Sequence, residues 1–169
     1  AIQCNGSATR PINFQSLTEN KWNGIKIVGD LSRSMLNHCN VSNAITGINF
    51  SNVGSVENPA RISNIHVSKC DLAGIKIFNS RVVIGVDVAP DSWNYIKDCG
   101  ECGILVSTSD PDEVLISSAK INNCGTGLIM YGANPVIENC YIFENRGAGI
   151  VAHTGSLPNL TPLDFRANT

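Results

Sequence analysis

Gly74-Ile75-Lys76-Ile77 returns, with small changes, six times along the chain. The other copies are Gly24-Ile25-Lys26-Ile27, Gly47-Ile48-Asn49-Phe50, Gly103-Ile104-Leu105-Val106, Gly127-Leu128-Ile129-Met130 and Gly149-Ile150-Val151-Ala152. The glycines are 23, 27, 29, 24 and 22 residues apart. A period in the twenties signals stacked repeats, in which no unit buries its apolar face alone. Within each copy the first and third residues after the glycine are apolar, the alternation of a strand with one buried side. Ile25, Ile48, Ile75, Ile104, Leu128 and Ile150 are therefore expected to stack as one interior column.

A second pattern lies upstream of each copy. Ile137, Cys140, Ile142 and Asn145 are spaced by three, two and three, as are Ile116, Ala119, Ile121 and Cys124. Ile62, Ile65, Val67 and Cys70 repeat it, and so do Leu36, Cys39, Val41 and Ala44. Asn94, Ile96 and Cys99 keep part of it. Helical spacing is never sustained, while β-branched residues, Asn, Ser and Gly abound. These observations predict an all-β chain: a right-handed, single-stranded parallel β-helix, or solenoid, of about six coils. At about 4.8 Å per coil the rod is roughly 25–30 Å long, and crossovers between parallel strands favour the right-handed sense. A leucine-rich horseshoe would need leucine-dominated repeats with a helix-length segment, and neither is present. The expected division is a β-helix domain over residues 1–155, followed by 156–169 as a C-terminal tail or the start of a further coil. The first residue, Ala1, and the coil-like ending Leu163-Asp-Phe-Arg-Ala-Asn-Thr169 suggest a processed piece of a longer protein.

The stretch Asn134-Pro-Val-Ile-Glu-Asn-Cys-Tyr-Ile-Phe-Glu-Asn-Arg-Gly-Ala-Gly-Ile-Val151 resembles the repeat of the right-handed parallel β-helix family, which includes pectin-degrading enzymes and phage tailspikes. Gly6-Ser-Ala-Thr-Arg-Pro-Ile-Asn-Phe14 and Trp22-Asn-Gly-Ile-Lys-Ile27 resemble the first coil of secreted or surface β-helix proteins. The resemblance spans roughly residues 5–155. It implies the fold and an extracellular or cell-surface setting. It leaves activity open, because the same repeat serves lyases, hydrolases, adhesins and structural proteins.

A net charge of −2 with 15% charged residues argues against a nucleic-acid surface, and no apolar run has the length of a membrane span. Cys70, Cys99 and Cys124 share one repeat position, and Cys39 and Cys140 share another. Buried free thiols acting as small apolar residues are expected. Bridges between stacked neighbours are the alternative, since the coil spacing suits a disulfide but the parallel side-chain vectors do not. Cys99-Gly-Glu-Cys102 is an isolated pair without the context of a zinc or redox site. Asn5-Gly-Ser, Asn40-Val-Ser, Asn49-Phe-Ser and Asn159-Leu-Thr are N-glycosylation triplets and mildly favour secretion.

Candidate sites lie on the outside of the repeated strand. Its outward row reads Lys26, Asn49, Lys76, Leu105, Ile129, Val151, and the next reads Val28, Ser51, Phe78, Ser107, Tyr131, His153. Leu105, Ile129 and Val151, flanked by Phe78, Tyr131 and His153, form the candidate binding stripe, because contiguous exposed apolar patches usually mean contact. Three covers remain open: the tail Leu157–Phe165, a protein partner or second subunit, and a sugar held on the aromatic rings. The lengthened third coil, Arg81 to Tyr95, offers Asp87, Asp91 and Asp98 with Arg81 and Lys97 as an acid–base cluster of the kind glycosidases and lyases use. Ordinary solvated charges on an extra strand pair are the simpler alternative. The acidic turn Asp110-Pro-Asp-Glu113 could hold calcium but lacks alternating ligand spacing; no other cofactor is expected. His38, His66 and His153 look too scattered for a metal. Neither the paired aspartates of polygalacturonases nor the calcium-and-arginine pattern of pectate lyases occurs. The balance favours a non-catalytic extracellular or surface module that presents a rigid face to a protein or polysaccharide. A polysaccharide lyase, a glycosidase or a tailspike-like glycan binder is the alternative.

Overall fold

The computed structural model describes residues 1–29, 33–85, 92–108 and 114–168, and these contain strands and no helix. Each coil visits three sheets in turn. The first coil is β1 (Gln3–Asn5), β2 (Ile12–Gln15) and β3 (Ile25–Val28), and the second is β4 (Met35–Asn37), β5 (Cys39–Ser42) and β6 (Ile48–Ser51). The third is β7 (Ala60–Ser63), β8 (His66–Ser68) and β9 (Ala73–Phe78), and the fourth is β10 (Val82–Ile84), β11 (Asn94–Lys97) and β12 (Cys102–Ser107). The fifth is β13 (Val114–Ser117), β14 (Ala119–Asn122) and β15 (Thr126–Tyr131), and the sixth is β16 (Val136–Glu138), β17 (Cys140–Phe143) and β18 (Ile150–Ala152). β19 (Asn159–Leu160) and β20 (Leu163–Arg166) enter a seventh. Sheet 1 runs β1-β4-β7-β10-β13-β16-β19, sheet 2 runs β2-β5-β8-β11-β14-β17-β20, and sheet 3 runs β3-β6-β9-β12-β15-β18. Every strand pair is parallel, so the protein is a three-sided parallel solenoid of about six turns.

The corners explain the asparagine content. Sheet 1 passes to sheet 2 through a single left-handed residue at His38, Asn64, Ser118 and Asn139. Sheet 2 leaves through another at Asn43, Lys69, Asp98, Asn123, Glu144 and Ala167. Asn52 and Asn79 do the same after sheet 3. These residues have φ between 42° and 58°. Asparagine tolerates that region better than most side chains, because its short polar group bonds to local backbone.

The predicted interior column is present. Ile48, Ile75, Ile104 and Leu128 are fully buried and in direct register, while Ile25 and Ile150, in the first and last strands of sheet 3, are partly exposed. The upstream pattern also holds. Leu36, Ile62, Ile84, Ile116, Ile137 and Leu160 stack in sheet 1, and Phe14, Val41, Val67, Ile96, Ile121, Ile142 and Phe165 stack in sheet 2.

At the corner between sheets 2 and 3 the next column begins with Ala44, continues through Cys70, Cys99 and Cys124, and ends in Asn145 and Asn168. Asp71, Gly100, Gly125 and Arg146, each just after a member of this column, donate their N–H groups to the carbonyls of Ala44, Cys70, Cys99 and Cys124, the members one coil earlier. Where thiols give way to asparagine, the amide side chains take over the backbone groups. Asn145 Oδ1 accepts the Cys124 N–H at 3.0 Å and its Nδ2 donates to Asn168 Oδ1 at 2.9 Å. Asn168 Nδ2 donates to the Ile142 carbonyl at 2.8 Å.

Shortening Ile104 to alanine leaves a cavity between two intact coils and is expected to lower stability by about 2–5 kcal/mol. Ile150→Ala, at the open edge of sheet 3, loses less. Urea unfolding of both variants measures the difference.

Candidate functional site

The outer face of sheet 3 carries the expected stripe. Leu105, Ile129 and Val151 are adjacent and half-buried, with Phe78 and Tyr131 41% and 45% exposed beside them. Tyr131 and His153 stack face to face, centroids 4.2 Å apart and planes 5° from parallel. The tail does not cover the stripe, contrary to one of the three expected covers. β19 pairs with β16 and β20 with β17, on the other two sheets. The reason is the column rule: Leu160 and Phe165 extend the Ile137 and Ile142 columns, where they cap apolar surface that would otherwise face water.

Of the acid–base cluster expected in the lengthened coil, which is the fourth, Arg81, Lys97 and Asp98 are described. Asp87 and Asp91 lie outside the described residues, as does the turn Asp110–Glu113. Lys97 ends β11, and Asp98 is a left-handed corner residue whose Oδ1 accepts Asn123 Nδ2 at 2.5 Å. Lys97 Nζ is 4.0 Å from Asp98. Arg81 lies past the far end of β9, bonded through its backbone to Val53 and Ala60. A six-residue strand of sheet 3, about 20 Å at 3.3 Å per residue, separates that corner from Asp98.

The convergent chemistry sits on the outer face of sheet 2. Its outward row is Asn13, Asn40, His66, Tyr95, Lys120, Tyr141 and Asp164, one residue per coil. The Lys120 ammonium lies 4.6 Å from the Trp93 ring centre, 5.4 Å from Tyr95 and 5.7 Å from Tyr141, within cation–π range of all three. Trp93 meets Tyr141 edge to face at 5.1 Å, and His66 lies 4.7 Å from Tyr95. Trp93 and Tyr95 are held by buried Asn94 between them. Its Oδ1 accepts the Ile65 N–H at 3.3 Å and its Nδ2 donates to the Ser118 carbonyl at 3.3 Å.

Two shallow cavities flank this aromatic cluster. One, of about 450 Å3, is lined by Lys120, Tyr141, Phe143, Glu144, Asp164 and Arg166. Arg166 grips Asp164 with two nitrogens, Nε at 2.8 Å. The other, of about 340 Å3, is lined by His38, Asn40, Asn64, His66, Trp93 and Tyr95, among others. Two of the three histidines thus converge, although among the described residues no three His, Cys, Asp or Glu side chains are placed to hold a metal. Burial, then the Lys97 charge, holds the His66 pKa below its ordinary value, so the ring is neutral at pH 7. The sequence pattern could have pointed here: each outward residue stands between the second and third members of the upstream repeat, as Tyr141 does between Cys140 and Ile142.

Comparison with family models matches residues 46–168 to the right-handed β-helix region. The chain belongs to the right-handed β-helix family. Curated proteins and solved structures gave no match. No helix among the described residues is long and apolar enough to cross a membrane.

In this β-helix all seven cysteines are unbridged, and six are buried. Burial pushes the thiols of Cys39 and Cys140 up to about 11 and that of Cys102 up to about 12. The Cys99 thiol is pushed up as well, by its neighbours Cys124 and Cys70 in the column and by burial. Groups that hold protons more tightly when folded contribute fully below the ordinary thiol range and lose that contribution as pH rises through the folded value. Urea midpoints are therefore expected to hold up to about pH 9 and to fall as pH climbs towards 12. Iodoacetamide at pH 8 should spare the six buried thiols of the folded chain. It should label all seven once the chain is unfolded without reductant; a Cys70–Cys99 bridge in the mass spectrum would contradict this.

Proposed function

We propose that this β-helix is a non-catalytic extracellular or surface module that holds an extended glycan along the outer face of sheet 2. The observation that carries the reading is the cluster of Trp93, Tyr95 and Tyr141 around Lys120, set between two cavities on one continuous face. A pyranose ring offers an apolar C–H face to an aromatic ring and hydroxyls at its rim. Asn40, Asn64 and neutral His66 supply hydrogen-bonding groups on one side of the cluster, and Lys120, Arg166 and Glu144 supply them on the other. The face runs along the rod axis, so a linear chain meets successive coils at about 4.8 Å intervals. A rigid platform of this kind suits the cell exterior, where glycans are abundant. The four glycosylation triplets support that setting, and Asn5 and Asn159 are both exposed.

The second reading is a polysaccharide-active enzyme. It draws support from Glu144 and Asp164 sharing the larger cavity, since a carboxylate pair at about 5–10 Å is what glycoside hydrolysis needs. A glycan array with a reducing-sugar assay on the same protein separates the two. Binding without release of reducing ends supports the module. Trp93→Ala and Tyr141→Ala are each expected to weaken binding about 3- to 10-fold, the worth of one aromatic contact, with the unfolding transition preserved. Sugar release abolished by Glu144→Gln or Asp164→Asn would favour the enzyme. Binding unchanged by both aromatic variants would remove sheet 2 as the platform.

A further inference from the structure

We infer that Cys99 and Cys124 form a buried two-thiolate site for one soft monovalent cation of the copper(I) class, held in line between the two sulfurs. Cys70, Cys99 and Cys124 follow one another at one corner of the third, fourth and fifth coils, and all are buried and unbridged. Their side chains are held alike. The Cys70 thiol points at the Ser68 carbonyl at 3.6 Å, the Cys99 thiol at that of Lys97 at 3.4 Å and the Cys124 thiol at that of Asn122 at 3.3 Å. The sulfurs therefore step along the rod by the coil rise, about 4.8 Å, with their Cβ–Sγ bonds parallel.

That arrangement is wrong for a disulfide and right for a metal bridge. A disulfide needs sulfurs about 2 Å apart with a dihedral of about 90° between their Cβ–Sγ bonds. A thiolate binds an ion such as zinc at about 2.3 Å, so an ion midway between two sulfurs needs them about 4.6 Å apart. Parallel side chains then meet the ion from opposite ends of one line. Linear coordination by two ligands belongs to soft, closed-shell monovalent ions, and thiolates select copper(I) among them. Zinc, which takes four ligands, does not fit. Among the described residues no three His, Cys, Asp or Glu side chains surround a common point.

The glycines that start the sheet 3 strands face this column. A Cβ on Gly74 would lie 3.2 Å from Cys99 Sγ, and one on Gly103 would lie 3.5 Å from Cys124 Sγ. Glycine keeps that side of each sulfur free of a competing side chain.

Charge selects the pair. Loading is a ligand exchange in which both thiols release their protons, two metal–sulfur bonds form and no electron moves. The loaded site carries one negative charge, which burial penalises unless a cation lies close. Arg146 supplies that cation. Its Nη1 donates to the Asn123 carbonyl at 3.0 Å, and its Nη2 donates to the carbonyls of Cys99 and Gly100 at 3.0 and 3.1 Å. Lys21, which reaches the Lys69 carbonyl beside Cys70 at 2.6 Å, is already matched by Asp71 at 3.3 Å. The Cys99–Cys124 step is therefore the better site than the Cys70–Cys99 step.

The test uses silver(I) nitrate, a redox-inert ion of the same class, in chloride-free buffer. Both thiols are fully buried, so the whole chain is refolded from urea with silver present. Exchange into excess glutathione then strips silver from accessible thiols. Native mass spectrometry should find one silver ion retained per chain. Cys99→Ala and Cys124→Ala should each lose it, while Cys4→Ala and Cys70→Ala should keep it. Alanine suits the column, since Ala44 fills the same place in the second coil, and Cys124→Asn, copying Asn145, gives a second form of the same loss. Urea unfolding checks that each variant folds. No silver on the refolded parent chain overturns the inference. So does silver that survives Cys99→Ala or Cys124→Ala, or that is lost with Cys4→Ala or Cys70→Ala. The readout is independent of glycan binding on sheet 2.

Discussion

In the first five coils a backbone carbonyl occupies the place where a glycine side chain would begin. A Cβ on Gly47 would lie 2.5 Å from the Gly74 carbonyl oxygen, one on Gly74 2.8 Å from that of Gly103, and one on Gly103 2.8 Å from that of Gly127. Real Cβ atoms do not approach so closely, so this contact holds the glycine at the start of the first five sheet 3 strands. Once neighbouring coils meet there, parallel pairing sets the rise, and every inward residue falls on its counterpart. A one-residue slip would turn the whole apolar set outward, which the buried columns on three sides forbid.

The architecture was legible because the constraint is local and repeated. Glycine followed by alternating isoleucines marks sheet 3, and the three-two-three spacing marks sheets 1 and 2. The candidate site was less legible for a physical reason. Outward residues are not required to resemble one another, so Asn40, His66, Tyr95, Lys120 and Tyr141 carry no pattern, although their positions do. On sheet 3, by contrast, Leu105, Ile129 and Val151 match one another and stand out as a row. Trp93 lies within the lengthened stretch Arg81 to Tyr95, and buried Asn94 ties it to the corner of sheet 2. A surface patch invites a cover, and the tail is one of three that the stripe leaves open. Leu160 and Phe165 instead obey the stronger demand of the interior columns.

The column that changes from cysteine to asparagine shows two solutions to one problem. A corner residue must fill a narrow space without stranding backbone polar groups. The thiols of Cys70, Cys99 and Cys124 fill it while each points a weak donor at a nearby carbonyl, such as Lys97 for Cys99 and Asn122 for Cys124. Asn145 and Asn168 fill it with groups that both donate and accept, which binds successive coils more strongly. The stronger form lies in the sixth and seventh coils.

The single-residue corners and stacked ladders also give the rod a mechanical character. Its main-chain hydrogen bonds run nearly along its long axis, between coils, so tension on the two ends loads them one ladder at a time rather than all together. A coil that peels away releases its 22 to 29 residues, about 75–100 Å of chain at full extension, while the coils beneath keep their packing. Under load such a molecule lengthens in steps, dissipating work at each and zipping back from whatever stack remains.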